Sequence, residues 1–319
     1  MSKFSELISF IRNEINRSII KLPIPKSPKY LYDPIRYALR GRGKRLRPIL
    51  THLIGRAYNT DPNSIMNISL AIELLHNFTL IHDDIMDKDT IRHGHETIHH
   101  KWDTSTAILA GDGIYTIAQL VLNSIDSNEK EISKYFNEVT LDICEGQALD
   151  KEFENLDNIT EDLYFEMIKK KTGSLIAASA IIPLIYAKED IKKIELFRTF
   201  GECLGKGFQI HDDLLEITSN SDTMGKSLDS DIFEGKQTIM VIKAKQYHRD
   251  SWDKMLLHSK KSDLRKNVYD FFDENKIIHE TKIIAEFFFN KSRKILTKLN
   301  HIDTGELLMF LDLVENRSF

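Results

Sequence analysis

Ile81–Asp89 reads IHDDIMDKD, and the pattern returns as IHDDLLE at Ile210–Glu216. Each copy places carboxylates at i, i+1 and i+4: Asp83, Asp84 and Asp87 first, then Asp212, Asp213 and Glu216. On a helix, positions i and i+4 lie one above the other. Asp83 with Asp87 therefore forms one claw, and Asp212 with Glu216 another. Leu74, Leu75, Phe78, Leu80, Ile81, Ile85 and Met86 make the first helix mostly apolar. Carboxylates in such surroundings repel one another and resist desolvation unless cations neutralise them. A cluster with oxygen ligands, no thiols and no paired histidines favours a hard cation such as Mg2+. One such motif could be a solvated acidic helix end; two copies sharing Ile-His argue against coincidence.

The bulk composition narrows the function classes. The chain has 319 residues, 41% hydrophobic and 29% charged, as expected of a soluble globular protein. Its 44 basic and 48 acidic residues give a net charge of −4, which points away from nucleic acid as a partner. Cys144 and Cys203 are the only cysteines, too few for a disulfide framework or a zinc site, and they fit a reducing cytoplasm. The N-terminus MSKFSELISFIRNEI is amphipathic and lacks a signal-peptide core. The most apolar run, Gly173–Ala187, contains Pro183 and is too short to span a bilayer, so no transmembrane segment is expected.

Helical spacing of apolar residues dominates, with only 14 Gly and 7 Pro to interrupt it. Phe4, Leu7, Ile8, Ile11, Ile15 and Ile19 mark a first helix, closed by Pro23, Pro25 and Pro28. A second begins at Ile35–Leu39, and Leu46 to Tyr58 continues helically after Gly41-Arg-Gly43. Asn59-Thr60-Asp61-Pro62 is a turn that starts the long stretch Ile65–Met86. Thr104–Ile125 follows, with Gly111-Asp112-Gly113 allowing close packing. Next come Ile132–Phe153, Glu161–Ile185 (kinked or broken at Pro183) and Ile191–Thr218, which carries the second claw. No segment alternates as a strand. The reading is an all-α single domain over residues 1–319, with Phe287-Phe-Phe289 in the core or a subunit interface.

Basic clusters answer the acidic ones. Gly41-Arg-Gly-Lys-Arg-Leu-Arg-Pro48 packs four cations into a glycine-flanked turn that can approach a polyanion and grip it. Arg92-His93-Gly94 follows Asp87. Lys169-Lys-Lys-Thr-Gly173 precedes a run of small residues. Gly225-Lys226 and Gly235-Lys236 follow the second claw. Each alone could be a solvated charged face. A diphosphate bound through Mg2+ between carboxylates, with Lys and Arg on its free oxygens, uses all of them.

Over roughly residues 30 to 240 the chain strongly resembles the trans-isoprenyl diphosphate synthases, or polyprenyl synthetases. The motifs are GRGKRLRP, ELLHNFTLIHDDIMD, RHG…TIHHKW, AILAGD, CEGQ…DKEFE, KKKTGSL, FQIHDDLLE and GKSLDSDIFEGKQT, in that order. The resemblance implies a helical bundle around a central cavity, in a homodimer, extending an allylic diphosphate with isopentenyl diphosphate. About three Mg2+ are implied: two on Asp83 and Asp87, one on Asp212, with Asp84, Asp213 and Glu216 in support. Arg92, Lys171 and Lys226 would hold the allylic diphosphate, with Lys236 nearby. Lys44, Arg47 and His76 would hold isopentenyl diphosphate. Lys171, Thr172 and Gln209 would serve the reacting carbons. Two departures stand out: His93 replaces an arginine that normally contacts isopentenyl diphosphate, and Glu216 replaces a final aspartate.

The product tail is expected to grow from Asp83 towards the N-terminus of its helix. Phe78 and Thr79 lie about 6–7.5 Å deeper, at roughly 1.5 Å per residue. Phe78 is large enough to act as a floor; Thr79 is not. In the family one aromatic at this depth resembles the pattern of a twenty-carbon product, geranylgeranyl diphosphate, with fifteen-carbon farnesyl diphosphate next. A class I terpene cyclase shares the first claw but has no need of Lys44, Lys226 or Lys236. A non-catalytic subunit of a heteromeric synthase usually loses one acidic motif, and both are kept here.

Overall fold

The computed structural model describes residues 3–41, 43–92, 94–218, 235–260 and 263–316. Asp61 starts the helix that carries the first claw. Its side chain accepts the Ser64 N–H at 2.8 Å, and Pro62 occupies the first turn, where a missing N–H costs nothing. Ahead of it come α1 (Lys3–Ile20), α2 (Lys29–Leu39) and α3 (Leu46–Ala57); α4 itself is Pro62–Met86. From Ile68 to Leu75 every residue of α4 is buried, as in a helix surrounded by others. A short α5 (Ile98–Lys101) leads to α6 (Thr104–Leu122), whose N-terminus is capped by Asp103 accepting from Thr106 N–H at 2.8 Å. Then follow α7 (Glu129–Phe153), α8 (Glu161–Ile168), α9 (Ser174–Tyr186) and α10 (Ile191–Thr218). After residue 235 the helices are α11 (Ile239–Tyr247), α12 (Arg249–His258), α13 (Leu264–Glu274), α14 (Ile277–Leu296) and α15 (Gly305–Glu315). α4 packs along α6, α10 packs on both α9 and α14, and one apolar core runs from Ile8 to Val314.

Glycines set the closest approaches. A Cβ on Gly111 of α6 would overlap the His82 ring of α4. Gly201 and Gly205 of α10 likewise bring its backbone against Ala177 and Gly173. His82 is therefore a packing residue between α4 and α6. In the second copy of the motif, His211 meets Phe289 of α14 edge-on, with ring centroids 6.2 Å apart.

The structure corrects the periodicity in three places. Ile91–Arg92 (β1) and His95–Glu96 (β2) form an antiparallel two-stranded hairpin, too short to show as alternation, with Gly94 at φ +78° in its turn. The break expected at Pro183 lies earlier: Lys169–Gly173 is a single π-helical turn between α8 and α9. Pro183 stays inside α9 near its C-terminal end, so little of the helix beyond it is affected. Third, α4 and α6 are long and apolar enough to cross a membrane by length and composition, which the Gly173–Ala187 run missed; most of the apolar window of α4 is buried in the bundle. Phe287-Phe-Phe289 divides: Phe289 is buried, Phe288 packs on Phe165 with centroids 5.5 Å apart, and Phe287 is 59% exposed.

Candidate active site

Both claws sit at the C-terminal ends of their helices. Asp87 is the C-cap of α4, and Asp212 to Glu216 occupy the end of α10. Unsatisfied carbonyls make that end the negative pole of a helix, so each claw adds its carboxylates to a potential already favourable to cations. Asp83, Asp87, Asp213 and Glu216 border one end of a cavity, with Arg92, Lys171 and Lys236. At its other end are Lys44, Arg47, His76, Thr172 and Asp212; Asp83, Arg92, Lys171 and Gln209 border both.

The first claw is wired to cations. Lys171 Nζ lies 2.5 Å from Asp150 Oδ2 and 4.0 Å from Asp83 Oδ2. Burial alone would lower the pKa of Lys171, but Asp83 and Asp150 outweigh it and raise it. Burial raises that of Asp83, and Lys171 opposes the rise. Lys236 Nζ reaches Asp87 at 3.2 Å, and Lys151 Nζ reaches it at 3.5 Å while bonding Glu154 at 2.7 Å. Asp84 pairs with Arg92, which also bonds Asp89 at 3.2 Å. One helical position away from Asp83, it faces another side of α4 and orients the guanidinium.

Asp213, the counterpart of Asp84, is held by neutral donors. Tyr164 of α8 donates its hydroxyl to Oδ2 at 2.7 Å, and Gln209 Nε2 donates to Oδ1 at 2.9 Å. Gln209 Oε1 accepts from Thr172 Oγ1 at 2.7 Å, completing a chain from the π-helical turn to the second claw. Burial raises the Asp213 pKa to about 7, against the pull of both hydrogen bonds.

The basic loop is less uniform than its sequence. Arg45 turns inward: it is buried, pairs with the buried Glu73, and bonds Asn16 of α1 at 3.0 Å and the Gly41 carbonyl at 2.6 Å. Lys44, Arg47 and His76 face the cavity, with Arg47 Nη1 3.1 Å from His76 Nε2. His93 and Lys226 lie outside the described residues.

The chain matches the polyprenyl synthetase family over residues 28–272. It belongs to that family. A geranylgeranyl pyrophosphate synthase of Geoglobus acetivorans is 42% identical over 75% of this chain and 76% of its own length. A geranylgeranyl diphosphate synthase of Methanosarcina mazei is 40% identical over 70% of this chain and 69% of its own. A crystal structure of a geranylgeranyl pyrophosphate synthase superposes with TM-score 0.90 at 31% identity, covering 100% of both chains.

In this polyprenyl synthetase Phe78 does not border the cavity, and Thr79 does. The 100° step between adjacent helical residues turns the Phe78 ring towards α6, 5.3 Å from Tyr115 of that helix and 4.6 Å from His82 of its own between centroids. The expected floor is thus a second layer behind Thr79 and Leu80. Sequence reasoning assigned no role to Asp150, Lys151 or Tyr164 of the synthetase, or to Gln147. CEGQ…DKEFE was recognised as a motif, and its polar residues on a helix facing KKKTG were the available signal. The claws offer only oxygen donors, which suits Mg2+. Among the described residues no three His, Cys, Asp or Glu side chains converge on one point. The donor set therefore fits ions held by one or two carboxylates and completed by diphosphate oxygens, the usual habit of Mg2+.

Proposed function

We propose that this polyprenyl synthetase is a Mg2+-dependent, short-chain trans-prenyltransferase. It extends an allylic diphosphate with isopentenyl diphosphate, releases pyrophosphate, and makes geranylgeranyl diphosphate, with farnesyl diphosphate the second choice. The observation that carries this reading is the pair of carboxylate claws bordering one cavity whose remaining polar wall is cationic. The names of the relatives at 42% and 40% identity support the twenty-carbon product.

The allylic C–O bond breaks, its electron pair leaves with the diphosphate, and the alkene of isopentenyl diphosphate attacks the resulting cation. Arg92, Lys171 and Lys236 stabilise the departing charge where it develops. About three Mg2+, on Asp83, Asp87 and Asp212, would supply further neutralisation of that charge when bound. Lys44, Arg47 and His76 hold isopentenyl diphosphate at the other end, with His93 assigned to the same ligand and Lys226 to the allylic diphosphate. Thr172 and Gln209 offer oxygens too weakly nucleophilic to trap the cation, and Leu80, Ile143 and Leu175 exclude water from it. The departing pyrophosphate takes the final proton.

A homodimer through α6 belongs to the same proposal. Ile108, Leu109 and Leu120 of α6 and Leu141 of α7 are exposed apolar residues that a second copy would cover.

The test is incubation of the purified protein with Mg2+, isopentenyl diphosphate and allylic diphosphates of five, ten and fifteen carbons, followed by product sizing. A twenty-carbon diphosphate is expected. Pyrophosphate release without isopentenyl diphosphate would identify a cyclase instead. Phe78→Ala should lengthen the products by opening the layer behind Thr79; an unchanged product profile would leave the limit at Thr79 and Leu80.

A further inference from the structure

Gln147 is the one polar side chain in the cavity wall whose buried state the preceding roles leave unexplained. It lies in the C-terminal half of α7, is 7% exposed, and borders the same part of the cavity as Thr172, Gln209, Leu80 and Ile143. Neither its amide oxygen nor its amide nitrogen has a hydrogen-bond partner among the described residues. A buried amide that has lost its water without gaining a partner destabilises the fold. An aliphatic residue of similar size would avoid that cost, so the free protein gains nothing from glutamine here.

Its position indicates what does gain. Gln147 borders the end with Thr172 and Gln209, and not the end with Asp87, Glu216 and Lys236 where the allylic diphosphate's charge would gather. One turn earlier on the same face, Ile143 continues the wall as apolar surface. The amide therefore stands at the boundary between the cationic part of the cavity and the part suited to hydrocarbon. Thr172 Oγ1 and Gln209 Oε1 are already bonded to each other, and Gln209 is further committed to Asp213. The amide oxygen of Gln147 is the uncommitted dipole.

We infer that Gln147 is a further catalytic residue, its amide oxygen stabilising the allylic cation that forms beside Thr172. The inference rests on the prenyltransferase reading. A neutral amide oxygen can solvate positive charge electrostatically without forming a bond to it, and it does so best where water is excluded. Its dipole interacts little with the neutral ground-state carbon and strongly with the cation, which is the differential binding that lowers a barrier.

The experiment replaces the amide by a length-matched apolar side chain, Gln147→Met. Three readouts are taken: thermal midpoint, kcat, and binding of two inert ligands. One ligand is an uncharged-tail, non-ionising allylic diphosphate analogue; the other carries an ammonium nitrogen at the reacting carbon. The expected result is an unchanged or higher thermal midpoint, kcat lowered about tenfold or more, and the ammonium analogue bound about tenfold more weakly. Affinity for the uncharged-tail analogue should stay within twofold. A lowered thermal midpoint with parallel loss of both affinities makes Gln147 structural and overturns the inference. So does a kcat within twofold of the unmodified protein. Should Gln147→Met fail to fold, Gln147→Asn, which withdraws the amide by one methylene, carries the same expectations. An unmodified protein that makes no prenyl product with any primer refutes the prenyltransferase reading itself, a result separate from either outcome for the variants.

Discussion

The motif on α4 and its copy on α10 share Ile-His-Asp-Asp, yet their second aspartates are held by opposite means. Asp84 carries its charge opposite the Arg92 guanidinium. Asp213 is gripped by a phenol and an amide, neither of which is charged. The histidines differ as well: His82 fills the space left by a glycine, whereas His211 lies edge-on to a phenylalanine. Identical letters therefore do one common job, presenting outward-facing carboxylates at a helix C-terminus, and two private jobs on the faces behind. The first copy orients a cation, and the second orients Gln209, which reaches Thr172.

The largest expected effect tests what the copies share. Asp83→Asn and Asp212→Asn should each lower kcat by roughly 10³-fold, with Mg2+ titration curves displaced to higher concentration. If only one of the pair responds, the claws are not equivalent and one is an ornament of the fold. Packing behind the motifs should separate them next. Gly111→Ala forces a methyl into the His82 ring and is expected to cost about 3 kcal/mol in denaturant titration. Gly207→Ala places its methyl 3.3 Å from the Phe289 ring, where a small shift suffices, and should cost under about 1 kcal/mol.

Stability should then distinguish the inner aspartates. Asp84→Asn leaves the Arg92 guanidinium without its main partner, an expected loss of about 2 kcal/mol, moderated because Arg92 is partly exposed. Asp213→Asn keeps a carbonyl acceptor for one donor and should cost under about 1 kcal/mol. Equal losses would erase the contrast between charged and neutral support. The smallest effect is in pH. Burial raises the Asp213 pKa from 3.8 to about 7, so between those values the folded protein holds a proton that the unfolded chain releases. Stability from this group is present below pH 4 and falls as pH rises through 7. Metal-free protein should show that decline in chemical denaturation, and Asp213→Asn should flatten it.

The helices were largely legible because their burial repeats at 3.6 residues: the bounds of Ile191–Thr218 and the capped start of α4 follow from apolar spacing and Asp61-Pro62. So were the cavity-facing residues of the claws, since i and i+4 fix a shared face whatever the surroundings. What neighbouring residues do was not legible. Four adjacent cations in GRGKRLRP look alike on paper, but Arg45 turns to a glutamate twenty-eight positions away, and no local signal announces such a partner. Phe78 and Thr79 are neighbours in sequence, but the 100° step between them gives Thr79 the face on the cavity and turns Phe78 behind it. Asp150 and Tyr164 escaped notice because their meaning lies entirely in Lys171 and Asp213, which meet them only after α7 and α8 have docked.

The π-helical turn at Lys169–Gly173 carries a consequence for how this segment can vary. A π turn holds one more residue than the α turn it replaces, so everything after it is phased differently from everything before. Tyr164, ahead of the turn, and Thr172, within it, are joined through Asp213 and Gln209 only in that phase. Removing one residue anywhere in KKKTG could preserve every motif letter that matters elsewhere and still swing one end of that chain by about 100°. The count of residues between α8 and α9 is in that sense a reading frame for the active site, and length carries information there as much as side chains do.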